Sequence, residues 1–185
     1  TVILAKTSTK LVKLMNNTLL VNLNAVKSAN SNFFVELTQG YYKDETEETT
    51  FWAENSLYVY GDIWTSCLDG LATDFVTDYN FFEFTDVNEP DNQNFCQALI
   101  NLADKLDKVT EPNNLQSDDF LSKKQEPYIR FDNSLHDIIS ETPNQTKIEF
   151  NKNFAVNIQK IVNTYRELAS WLTENRHVGV SILGI

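Results

Sequence analysis

The most regular hydrophobic spacing lies near the C-terminus, where Phe154, Ile158, Ile161, Tyr165, Leu168 and Leu172 step by three or four residues. That period predicts a long amphipathic helix over 152–175. Phe95, Leu99, Leu102, Leu106 and Val109 repeat the pattern and predict a second helix. Asp91 or Asn92 would cap it, Lys105 and Lys108 suit its C-terminal end, and Pro112 stops it. Over 9–28, Val12, Met15, Leu19, Leu23 and Val26 also keep helical spacing, although Asn and β-branched residues weaken that reading. A shorter helix is expected over 66–79, with Leu68, Leu71, Phe75 and Tyr79 on one face.

Elsewhere the pattern is that of strands. Residues 32–38, 50–53, 56–60 and 81–85 are short runs of aromatic and branched side chains separated by polar or glycine-containing stretches. Gly61-Asp62 reads as a turn and 111–126 as a polar loop. Further short strands are expected at Thr1–Ala5, Pro127–Phe131, Lys147–Phe150 and Val178–Leu183, the last pairing with Thr1–Ala5 or lying centrally. The sum is a single α+β domain over 1–185, with a mostly antiparallel sheet packed by two or three helices. A chain with 42% hydrophobic residues can build such a core without metal or disulfide staples.

Charge changes the picture. Between Tyr41 and Asp91 there are thirteen acidic residues and one lysine, Lys43, a balance of −12. The remainder of the chain sums to +1, which gives the net −11. The same segment holds twelve of the twenty-two Phe, Trp and Tyr residues. Such a charge repels nucleic-acid phosphates and anionic lipid, and attracts the basic surfaces of other proteins. Large rings flanked by acids are also what anchors in a binding patch look like. Strand alternation puts Leu57, Val59 and Gly61 on one side and Tyr58, Tyr60 and Asp62 on the other. Pure packing is the equal competitor to a recognition face here. The residues predicted to contact a partner are Tyr42, Trp52, Tyr58, Tyr60, Asp62, Trp64, Asp69, Asp74 and Asp78.

Catalytic and metal patterns are weak. Ser134, His136 and Asp137 are neighbours in sequence, which does not make a triad, and His177 suits a helix C-terminus. Cys67, Cys96, His136 and His177 lack the paired spacing of a structural zinc site. Cys96 is read as a small core side chain, with one bridge to Cys67 left open. Counted from Asp86, a calcium loop would need glycine sixth and glutamate twelfth, where Asp91 and Gln97 stand. No catalytic, cofactor or metal residue is therefore assigned. Lysines at 6, 10, 13, 123 and 124 offer only minor phosphate contacts, so nucleic acid is expected as an indirect partner at most. No apolar run of membrane-spanning length occurs, and the opening Thr-Val-Ile-Leu-Ala-Lys lacks signal-peptide features. An intracellular, cytoplasmic setting is the expectation, although a signal already removed would leave the same start. The expected role is non-enzymatic: an accessory or structural subunit docking onto a basic protein in a larger nucleoprotein, phage or viral assembly. The alternatives are an acidic inhibitor or immunity protein covering a basic target, and a metal-dependent hydrolase built on the carboxylates from Asp62 to Asp91.

Overall fold

The computed structural model describes residues 17–28, 33–42, 52–130 and 151–184. Their order is β1 (Leu20–Val21), α1 (Leu23–Ser28), β2 (Phe34–Gln39), β3 (Leu57–Tyr60), α2 (Gly61–Cys67), α3 (Asp69–Phe75), β4 (Phe84–Val87), α4 (Glu89–Leu106), α5 (Phe154–Asn175) and β5 (Val180–Gly184). Two short 3-10 turns, Pro112–Gln116 and Asp118–Phe120, fall between α4 and α5.

The five strands form one sheet in the order β1-β3-β2-β5-β4, antiparallel at every junction. This is the α+β architecture that the periodicities imply, with five helices among the described residues where two or three were expected. The C-terminal strand β5 lies between β2 and β4, inside the sheet, where its side chains from Val180 to Leu183 are buried on both faces. Strand alternation divides the sheet cleanly. On the inner face Leu20, Val35, Leu37, Val59, Val87, Val180 and Ile182 join one core with α2, α3, α4 and α5. The outer face carries a smaller cluster, in which Leu23 and Val26 of α1 cover Phe34 and Tyr58.

The helices α4 and α5 make the most extensive element contact of the molecule. Phe95, Leu99, Leu102 and Leu106 meet Ile158, Ile161, Tyr165, Leu168 and Leu172, and all are buried. Burying each such side chain contributes about 1.5–3 kcal/mol before ordering costs. At the surface Arg166 joins the pair by donating to Asp104 (2.9 Å) and Asp107 (3.1 Å). Cys96 packs in this seam as expected, and Cys67 and Cys96 are both buried and not disulfide-bonded.

Several expectations are corrected. Part of the expected 9–28 helix is instead strand β1, since Leu20 and Val21 pair with Val59 and Tyr58. The Asn22 side chain then accepts from the Ala25 amide (2.8 Å), so α1 starts only at Leu23. Gly61-Asp62 begins α2 rather than making a turn. Trp52 and Ala53 are not strand. The helix α4 begins at Glu89 rather than at residue 92 or later, capped by Asn88, whose Oδ1 accepts from the Asp91 amide (3.1 Å). Pro127 makes only an isolated bridge to Leu121. The strands expected at Thr1–Ala5 and Lys147–Phe150, together with Ser134, His136 and Asp137, lie outside the described residues.

Candidate functional site

The sequence places the acids and rings together; the fold sorts them into inside and outside. Trp64 and Tyr58 are completely buried, so neither can meet a partner from within the folded domain. Trp64 begins a chain of hydrogen bonds: its Nε1–H donates to the Tyr79 hydroxyl (2.6 Å), which donates to Asp69 (2.9 Å). Burial, and then the Asp69 charge, push the Tyr79 phenol far above its ordinary range. With Trp64 holding Tyr79 to α2, Asp69 ties the same tyrosine to the first turn of α3. It is an internal fastener.

Asp74 is another. It accepts from the Lys123 amide (2.7 Å) and the Tyr128 hydroxyl (3.0 Å), and Lys123 Nζ reaches the Asp74 carbonyl while lying over the Phe75 ring. Burial foremost, then Asp74, raise the Tyr128 phenol. Asp91, which the sequence reading left among the metal candidates, is buried and accepts from the Thr77 amide (2.7 Å) and hydroxyl (3.2 Å). Among the described residues, no three His, Cys, Asp or Glu side chains converge as a metal-holding group.

The outer sheet face holds the rest. Its centre is Glu36, fully buried, whose carboxylate accepts from the Trp52 amide at 3.0 Å through both oxygens. The Tyr58 hydroxyl shares its proton between Glu36 Oε1 (3.0 Å) and the Ala53 carbonyl (2.8 Å). Burial and then this charge raise the Tyr58 phenol. Trp52 stacks along Tyr58 at 6.1 Å with its ring 41% exposed. Toward β4, Asp86 accepts from the Tyr42 amide (2.7 Å) and the Ser181 hydroxyl (2.6 Å), and Tyr42 stacks on Phe84 at 4.1 Å. Tyr42 is 44% exposed. Tyr60 is half-buried against Phe34, and Asp62 lies half-buried in the first turn of α2. Asp78 is exposed, in a left-handed backbone conformation (φ 55°).

A second aromatic group stands at the end of this face. Phe33 meets Phe81 edge-on at 5.7 Å, and Phe81 meets Phe82 edge-on at 5.1 Å. Phe82 is 85% exposed, the highest value among the exposed large hydrophobic residues. Glycines make room for this group. A Cβ on Gly61 would enter the Phe33 ring, and one on Gly184 would enter the Phe81 carbonyl oxygen.

Of the residues singled out from sequence, Tyr42, Trp52 and Tyr60 therefore offer surface on the outer face, Asp78 is exposed beyond α3, and Asp62 offers some surface at the start of α2. Tyr58, Trp64, Asp69 and Asp74 hold the domain together. Phe82 and Phe84 were not singled out. Strand alternation does not mark them, because residues 81–83 form a turn and the strand expected at 81–85 starts only at Phe84. No protein-family model, curated protein or solved structure matches this chain.

Proposed function

We propose that this chain is a non-enzymatic docking subunit that holds a basic protein through the outer sheet face and its β4 end. One observation carries the reading: exposed rings at Tyr42, Trp52, Phe82 and Phe84 accompany exposed Asp78, Glu83 and Glu89. From 78 to 91 there are five acidic residues and no lysine or arginine. Aromatic area supplies affinity, and unbalanced negative charge supplies orientation and association rate. No helix among the described residues is long and apolar enough to cross a membrane. A larger assembly is the setting that suits such a chain, and an inhibitor covering a basic target would use the same surface.

The test is affinity capture at low and high salt, with Asp78, Glu83 and Glu89 together reversed to Lys. Asp69 and Asp74 are unsuitable for reversal because each fastens the fold. The expected result is loss of a basic partner on reversal, with weaker capture in high salt by the native chain. Partners unchanged by the reversal would refute the reading. A one-to-one complex that silences the partner's activity would favour the inhibitor form, and co-purification with several subunits would favour the assembly form.

A further inference from the structure

The exposure of Phe82 is unlike that of the other surface rings. Tyr42 lies on Phe84 and Trp52 on Tyr58, so each ring has one face against the domain. Phe82 is 85% exposed and touches Phe81 only edge to face. Yet the backbone beneath it is fastened. The Phe82 amide donates to Asn80 Oδ1 (3.1 Å), the Glu83 amide to the Asn80 carbonyl (3.1 Å), and the Asn80 amide to Thr85 Oγ1 (3.3 Å). Below, Phe81 is pinned between the Phe33 ring and Gly184. An ordered backbone leaves only the two side-chain torsions of the ring to be fixed on binding. In the chain Asp78 precedes it by four residues and Glu83 follows it directly, and both are exposed.

Resting on the docking function proposed above, we infer that Phe82 is a preformed plug for an apolar pocket rimmed by lysine or arginine on the partner. Charge complementarity selects this occupant. A second copy of this chain would bring a net charge of −11 against another −11, and an anionic membrane would repel Asp78 and Glu83. A pocket with a cationic rim satisfies both the ring and its neighbours. The plug supplies the slow dissociation of the complex, while Asp78 and Glu83 act mainly on its rate of formation.

The experiment places the photo-crosslinker p-benzoylphenylalanine at position 82 of the full chain, expressed in its native host. The cross-linked residues are then mapped, and the captured protein is purified and titrated with variants. We expect cross-links to apolar residues bordered by Lys or Arg, competed by the native chain and poorly by Phe82→Asp. In titration, Phe82→Ala should weaken binding by about tenfold or more, chiefly through faster dissociation, and Phe82→Leu should restore most of it. Asp78→Lys with Glu83→Lys should slow association and flatten the salt dependence. Cross-links that map to this same chain, to lipid, or to sites without basic residues overturn the plug, as does the absence of any competable cross-link. If charge reversal abolishes binding while Phe82→Ala leaves it intact, docking stands and the plug falls. If neither change matters, the docking function itself falls.

Discussion

Replacing Glu36 by alanine would strip the acceptor from the Trp52 amide and leave the Tyr58 hydroxyl with the Ala53 carbonyl alone. A buried donor without a partner costs about 1–3 kcal/mol, so Glu36→Ala should lower stability by that much in urea titration. Trp52 fluorescence should shift to the red as its ring leaves Tyr58. Glu167 behaves in the opposite sense. Its Oε2 is buried with no hydrogen-bond partner, and burial raises its carboxyl above the usual carboxylate range. A folded-state value above the unfolded one gives stability that is complete at pH below the unfolded carboxyl range and is lost as pH rises through the folded value. Glu167→Gln should therefore melt higher than the native protein at pH 7, and the gap should close as pH falls below about 4. An equal gap at all pH values would contradict this account. No sequence pattern marks Glu167, because helical spacing alone places it on the flank of α5 rather than in the core.

At the scale of elements, legibility followed contact range. The helix α5 runs from Phe154 to Asn175, within the span that its apolar spacing predicts, because one long face meets one continuous core. The helix α1 was misjudged because Leu20 and Val21 follow the sheet, a long-range pairing that overrides a local period. Gly61 looked like a turn residue, yet it sits where the Phe33 ring lies against the start of α2, and close approach demands it. Gly184 has the same office at the end of β5. Gly184→Ala should displace the segment carrying Phe81 and Phe82 and lower stability by about 1–3 kcal/mol. Faster amide hydrogen exchange at Phe82 and Glu83 would register it. In the α4–α5 seam, Leu168→Ala should cost about 2–5 kcal/mol by chemical denaturation, since Leu168 is wholly buried.

Across the whole molecule, the acidic segment was legible as charge but not as geometry. Composition counted its carboxylates equally, whereas the fold turned Asp69, Asp74 and Asp91 inward to hold hydroxyl and amide donors. Those bonds join residues distant in sequence, and no local pattern announces them. The same bonding suggests an alkaline limit. Tyr58, Tyr79, Tyr128 and Tyr165 all have phenols raised chiefly by burial, three of them further raised by a neighbouring carboxylate. Raised folded values mean that their contribution is complete below the unfolded phenol range and is lost above it. Melting temperature should thus fall steeply above about pH 10, and the phenolate absorbance of these four should appear only with unfolding. Phenolate signal from all seven tyrosines before any melting would contradict it.

Tyr42 and Trp52 are both moored to the sheet by their own amides, one on Asp86 and the other on Glu36. The chain between them carries Asp44, Glu45, Glu47 and Glu48. Neither of those two hydrogen bonds uses these acids, so under the proposed docking role their number can change over generations while Tyr42 and Trp52 stay held by Asp86 and Glu36.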